Sequence, residues 1–290
     1  MENKYPYYKK TEIRNLLENE HMAPLKKWGQ NFLLNPVITA SILQAIPQEI
    51  TDAASTIAEI GPGLGVLSWE IATQDKPYYI FEIDPFFCEL IRGNPHYSKP
   101  EIHLIEGDVL QNLHRLPDQK TVLYGNLPYH ISSEILTETL EKIPQLLAAS
   151  FLVQKEFATR IVNEMSSLSV FVSAFGRWKI VKTVGPKNFY PVPRVNSAIL
   201  LYTRFSQDEM VFQKKEEFEL LTLFLKTIFW GKRKQIGTSI KHAPFIEDEN
   251  LKDLILASLS ELSISLETRP EQLKKDEIYN LVRIVSKKVT

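Results

Sequence analysis

Residues 56–65 read TIAEIGPGLG. Thr56 to Ile60 have the character of a short strand and run straight into glycines at 61, 63 and 65, after which Leu67–Ala72 has helix character. Glycine lets a backbone turn sharply and lets a ligand approach where a Cβ would otherwise stand. Strand, glycine turn and helix in that order open an α/β sheet, whose ligands bind outside the carboxyl ends of the strands. The spacing is GxGxG and differs from the GxGxxG of pyrophosphate-binding dinucleotide folds. No Lys-Ser/Thr pair follows it, which excludes a nucleotide P-loop.

The alternation continues on both sides of this stretch. Apolar spacing predicts a helix over 37–46, ending before Pro47. Downstream it predicts strands over 78–83, 102–105, 121–124 and 151–153, and helices over 86–92, 134–141, 156–164 and 168–178. Residues 181–184 and 198–205 read as paired strands around the proline-rich 189–193. Such alternation predicts an α/β fold with a parallel, doubly wound sheet. Beyond Phe205 the pattern changes: 206–209 is a polar linker, and 218–229, 251–259 and 278–286 read as helices of a small all-helical domain. The expected organisation is an N-terminal arm over 1–26, an α/β domain over 27–205 and a helical domain over 206–290, a division that suits 290 residues.

Composition narrows the function classes. The chain is 44% hydrophobic and 24% charged, with no apolar run long enough for a bilayer and no apolar leader in MENKYPYYKK, so a cytoplasmic protein without membrane contact is expected. The single cysteine, Cys88, excludes an internal disulfide framework and is expected to fill a helix face. Six histidines without paired ligand spacing point to no metal. A net charge of −1 counts against a general polyanion binder, but the distribution is uneven. Residues 226–242 hold Lys226, Lys232, Arg233, Lys234 and Lys241 with no acid among them, and Lys4, Lys9, Lys10, Arg14, Lys26 and Lys27 form a second basic set. Both suit contacts to phosphates. A monomer is the default expectation.

Three further stations carry chemistry. Glu82 ends the strand after the glycine turn, where a carboxylate can accept both hydroxyls of a ribose. Asp108, in Glu106-Gly107-Asp108, can accept from an adenine amino group or from a helix-start amide. A ligand with a ribose and an adenine but no demanding pyrophosphate fits these groups. S-adenosylmethionine suits best, with NAD as the rival that the glycine spacing disfavours. The last station is Gly125-Asn126-Leu127-Pro128-Tyr129. The Asn126 amide offers an acceptor, Pro128 stiffens the turn and Tyr129 supplies a flat π-face, which together suit capture of a planar base bearing an exocyclic amine.

With these residues in hand, the chain resembles the KsgA-type (RsmA) small-subunit rRNA adenine dimethyltransferases along most of its length. The resemblance rests on Lys27-Trp28-Gly29-Gln30-Asn31-Phe32-Leu33, the 59–65 segment EIGPGLG, Phe81-Glu82-Ile83-Asp84, Glu106-Gly107-Asp108 and GNLPY with Ile131-Ser132. Later landmarks are Gln154-Lys155-Glu156, Leu168-Ser169-Val170 and the 189–197 segment FYPVPRVNS. It implies a Rossmann-like class I methyltransferase sheet followed by a helical RNA-binding domain. It also implies that Asn31, Leu33, Gly61, Glu82, Asp108 and Asn126 contact S-adenosylmethionine. The implied product is a pair of neighbouring dimethylated adenosines in the 3′-terminal hairpin of 16S rRNA, with the 30S subunit as partner and a late assembly checkpoint as a second role.

Under that reading the side-chain oxygen of Asn126 and the main-chain oxygen of Leu127 accept the two amino hydrogens of the adenine, while Tyr129 and Phe189 stack on its two faces. The chain departs from the family pattern in three places: NEMSS at 163–167 where a longer basic stretch is usual, Lys232-Arg233-Lys234 where a double arginine is usual, and Ser133-Glu134 where Thr-Pro is usual. These touch RNA docking more than the chemistry. The alternatives are a resistance-type 23S rRNA adenine methyltransferase, which Leu127 and the 191–197 segment disfavour, and a factor that acts chiefly by binding the assembling ribosome.

Overall fold

The computed structural model describes residues 4–20, 31–231 and 233–289. In chain order the strands are β1 (Phe32–Leu33), β2 (Thr56–Ile60), β3 (Tyr78–Glu82), β4 (Ile102–Glu106), β5 (Thr121–Asn126), β6 (Leu146–Gln154), β7 (Gly176–Val184), β8 (Phe189–Tyr190) and β9 (Ser197–Arg204). Seven of them form one sheet in the order β4-β3-β2-β5-β6-β9-β7, while β1 and β8 pair as a separate antiparallel ribbon. Every residue of β2 is buried, as expected for a central strand covered on both faces.

From β4 through β6 all pairings are parallel. β9 then enters antiparallel to β6, so the sheet is mixed where the sequence predicts an all-parallel one. The connection over 185–196 joins β7 to its sheet neighbour β9 and holds only a short 3₁₀ turn and β8, with no crossover helix of the kind that parallel neighbours usually need. Residues 181–184 and 198–205 are neighbours as expected.

Two other expectations change in extent. β6 begins at Leu146, well before Phe151, because 146–150 are strand residues, all of them buried except the half-buried Leu147. The helix expected over 168–178 spans Ser167–Ser173, started by reciprocal bonds between Ser166 and Ser169 (Ser169 N to Ser166 Oγ 3.2 Å, Ser166 N to Ser169 Oγ 2.9 Å). Gly176–Trp178 instead opens β7, along which exposed and less exposed positions largely alternate.

The chain divides by contacts into two units, residues 1–158 with 178–204 and residues 159–177 with 205–290. The first is built around the sheet, with Ile57, Ile80, Val122, Leu152 and Ile199 fully buried in one core. The second holds the helices Lys215–Ile228, Ile236–His242, Glu249–Glu261 and Lys275–Val289. Thr159–Arg177, which the sequence reading assigns to the α/β domain, groups with these helices. Phe175 stacks on Phe218 at 4.6 Å, and the Tyr279 hydroxyl donates to Val170 O at 2.7 Å. Among the described residues no helix is long and apolar enough to cross a membrane.

Candidate active site

The strand order reverses between β2 and β5, and such a switch point opens a crevice at the carboxyl edge of a sheet. The register aligns the strand ends there: Ile60 lies beside Phe81 and Gly125, and Glu82 beside Glu106. Read across the sheet, the residues leaving that edge are therefore Asp108, Glu82, Gly61 and Asn126. A cavity of about 220 Å³ lies over them. All six residues expected to contact a cofactor line it (Asn31, Leu33, Gly61, Glu82, Asp108 and Asn126), as do Leu127, Pro128 and Tyr129.

Backbone conformation explains the glycine turn. Gly61, Gly63 and Gly65 have φ of +65°, +54° and +80°, a region L side chains rarely adopt. Gly125 is needed for a different reason. A Cβ there would stand 3.0 Å from Ile60 O and 2.9 Å from Leu127 Cδ2, so β5 can lie against β2 at this point only without a side chain.

Glu82 is buried, and its carboxylate accepts from Gly63 N (3.1 Å) through Oε2 and from Ile83 N and Asp84 N (both 2.8 Å) through Oε1. Burial pushes its pKa up to about 7 against the opposing pull of those three amides. Three bonds leave about one of its four acceptor positions open, on the oxygen that faces the glycine turn. Asp108 serves as helix cap for Val109–Asn112, its Oδ1 accepting from Leu110 N at 3.0 Å. Of the two uses read from the sequence, the helix-start amide takes Oδ1, and Oδ2 remains for a ligand donor. A partly spent ribose acceptor, a second carboxylate oxygen beyond the adjacent strand on one side and a glycine turn free of Cβ atoms on the other fit the donor pattern of an adenosine. Beneath the turn lies Glu59, also in the cavity wall, which accepts from Ser68 Oγ at 2.7 Å and from the Tyr78 hydroxyl. Burial pushes Glu59 up to about 7, opposed by those two bonds, and the Glu82 charge adds to the rise.

At the far station Asn126 Nδ2 donates to the main-chain oxygen of Asn31 at 3.0 Å. A carbonyl oxygen can only accept, so this bond assigns the amide orientation and leaves Oδ1 as the unengaged end. Leu127 N donates to Leu152 O at 3.0 Å, which anchors this residue to β6 where it lines the cavity. The ribbon β1–β8 holds Asn31 in place, with Leu34 N donating to Asn188 O and Asn35 Nδ2 donating to Asn188 Oδ1, both at 2.8 Å. Tyr129 is partly exposed, and its hydroxyl meets Ser197 Oγ at 2.9 Å.

Phe189 requires a correction. Its side chain is fully buried in the hydrophobic core, pairs with Leu33 in the ribbon and is absent from the cavity wall, so it has no open face for a base. From sequence alone 189–193 reads as a loop, where a phenylalanine beside prolines would stand free. Sequence reasoning also gives Ser197 no role and misses Tyr5, which lines the cavity. Nothing in the basic arm around Tyr5 signals that placement. Lys27 to Gln30 and Lys232 lie outside the described residues. In the second unit, Arg233 is exposed, and Lys234 Nζ sits 3.5 Å from the centre of the half-exposed Trp230 ring.

The chain is similar to known proteins over nearly its full length. A family model described as ribosomal RNA adenine dimethylase matches residues 24–287. A curated relative from Chlorobium phaeobacteroides, named ribosomal RNA small subunit methyltransferase A, is 34% identical over 94% of this chain and 92% of its own. Among solved structures, a dimethyladenosine transferase from Plasmodium falciparum aligns with a TM-score of 0.72 at 23% identity, over 89% of this chain and 98% of that one. The 23S rRNA methyltransferase ErmE aligns with a TM-score of 0.64 at 24% identity, over 88% and 100%. Both share the class I methyltransferase fold. On the family match and the identity to its relative, the chain belongs to the ribosomal RNA adenine dimethylases, enzymes that use S-adenosylmethionine.

Proposed function

We propose that this enzyme dimethylates the exocyclic amino groups of two neighbouring adenosines in the 3′-terminal hairpin of 16S rRNA. The small-subunit name of its 34% identical relative supports that choice of RNA. The observation that carries the chemistry is the Asn126–Asn31 hydrogen bond, which engages Nδ2 and leaves Oδ1 of Asn126 as the end to accept from a ligand.

An adenine amino group is a weak nucleophile because its lone pair is delocalised into the ring. Oδ1 of Asn126 and the main-chain oxygen of Leu127 accept its two hydrogens and favour a pyramidal nitrogen, an advantage that grows toward the transition state. Tyr129 stacks on one face of the extruded base, a contact worth roughly 1–3 kcal/mol. Its hydroxyl is tethered to Ser197, which restrains the ring. Bound S-adenosylmethionine supplies an electrophilic methyl group. Glu82 accepts from the ribose, Asp108 Oδ2 accepts from the adenine amine, and the wall around Leu33 and Leu127 excludes water. The methylated amine is acidic enough to lose its proton to water, so no dedicated base is required.

The test is to incubate the chain with methyl-labelled cofactor and 30S particles from an undermethylated strain, then map the label by mass spectrometry of nuclease fragments. Label on two adjacent adenosines of the 16S 3′-terminal hairpin is expected. Label in no 16S fragment, or in 23S rRNA alone when 50S particles are offered, would overturn the proposal.

A further inference from the structure

Besides the sheet edge and the β1 ribbon, the N-terminal arm contributes to the cavity wall. Tyr5 lines it beside Glu59, Gly63 and Leu64 although it belongs to the basic N-terminal arm. Its side chain is only 6% exposed, and its hydroxyl donates to Leu64 O at 3.1 Å, inside the glycine turn. The ring meets Trp69 edge-on at 6.0 Å and is backed by Tyr8 at 4.9 Å and Tyr7 at 5.7 Å. Behind it the helix Lys10–Asn19 inserts Ile13 and Leu17 into the same core, with Ile13 fully buried.

The turn is thus gripped from two sides. Gly63 N–H is bound by the Glu82 carboxylate, and Leu64 O is bound by the arm through Tyr5. Burial, with the neighbouring Tyr97, Tyr8, Tyr7 and Glu59 adding to it, holds the Tyr5 hydroxyl well above its ordinary pKa, so it stays a donor throughout the neutral range. A turn whose carbonyl is held by a segment remote in sequence has a shape that depends on that segment being docked. Occupancy of the cavity and docking of the arm then share the same wall, and any preference of one for the other is mutual.

We propose that Tyr5 is a cofactor-site residue and that the arm carrying it is a wall of that site, so that cofactor binding and arm docking stabilise each other. The proposal rests on the reading of the cavity as the S-adenosylmethionine site and goes beyond it in assigning the arm to cofactor binding, where the sequence suggests phosphate contact.

Two readouts on the full chain test it without RNA or turnover. The first is calorimetric affinity for S-adenosylhomocysteine. The second is the rate of trypsin cleavage at Lys9, Lys10 and Arg14, which are exposed on the arm. Saturating ligand is expected to slow arm cleavage about fivefold or more, and Tyr5→Ala to weaken ligand binding by a similar factor. Tyr5→Phe, which keeps the ring and loses the bond to Leu64, is expected to fall between Tyr5→Ala and the wild type. Ile13→Ala, outside the cavity wall, is expected to speed arm cleavage and weaken the ligand as well, and circular dichroism at the assay temperature checks that each variant is folded. Tight binding by the wild type that leaves arm cleavage unchanged, with Tyr5→Ala binding equally well, would overturn this proposal alone. A wild-type chain that binds no S-adenosylhomocysteine would overturn the cofactor reading together with it.

Discussion

Two buried carboxyls, Glu59 and Glu82, lie beneath and beside the glycine turn, and both hold their protons more tightly than the ordinary value of 4.5, near 7, chiefly because burial penalises the charge. Between pH about 4.5 and 7 the folded chain therefore binds more protons than the unfolded one, so stability falls as pH rises through that window and is lowest above it. Glu59→Gln keeps an acceptor for Tyr78 and Ser68 and removes the charge. By urea denaturation it is expected to be more stable than the wild type at pH 8 by about 1–3 kcal/mol, with the gap closing toward pH 5. Identical pH slopes for the two proteins would show that Glu59 does not titrate in this range. None of this is legible from EIGPGLG alone, because a glutamate before a glycine turn reads the same whether it faces solvent or a buried tyrosine. The stations themselves are legible. Gly61, Glu82, Asp108 and Asn126 each end a strand in a pattern that periodicity locates, and parallel strands bring their carboxyl ends together. Phe189 is misleading in sequence because its partner in the ribbon, Leu33, is remote along the chain.

Among the elements, the two-stranded ribbon has the most influence on the site for its size. β1 and β8 contribute two residues each, yet they carry Leu33 and hold the chain next to Asn31, which orients Asn126. Asn35 joins the ribbon to the body. Its Oδ1 caps the helix Pro36–Leu43 through Val37 N at 2.9 Å, and its Nδ2 donates to Asn188. Asn35→Ala loses a cap and a side-chain bond, so thermal denaturation should show a loss of about 1–2 kcal/mol. A loss below about 0.5 kcal/mol would place Asn35 with ordinary surface positions. Strong periodicity makes most helices legible to within a few residues, for example the expected 86–92 against the observed Pro85–Arg92, capped by Asp84. The helix Lys10–Asn19 escapes a sequence reading because its buried face is narrow and its exposed residues are charged. β7 reads in part as helix because an apolar run ending in Phe175-Gly176 carries no local mark of where a helix stops.

At the scale of the whole molecule, a net charge of −1 is compatible with a ribosomal RNA substrate only if the basic residues are concentrated. Lys232, Arg233 and Lys234, consecutive after Gly231, are the densest cluster without an acid nearby in sequence. Charge reversal of all three should weaken binding to 30S particles, and should lower the slope of log affinity against log salt by about 2, as expected when two or three phosphate contacts are lost. An unchanged slope would assign them to a solvated face. The unit boundaries are only partly legible. The polar stretch after Phe205 marks a change in character, but the grouping of Thr159–Arg177 with the later helices depends on Phe175 and Val170 meeting Phe218 and Tyr279. Such pairings between distant segments leave no periodic trace.

The role proposed for Asn126 is that its amide oxygen, oriented by the bond to Asn31, activates the target amine. Single-turnover methyl transfer to undermethylated 30S particles by Asn126→Ala, measured beside S-adenosylhomocysteine affinity, separates that role from cofactor binding. The expected result is a rate lower by about 100-fold or more with ligand affinity changed by less than about tenfold. A variant that transfers methyl groups within about twofold of the wild-type rate would contradict it.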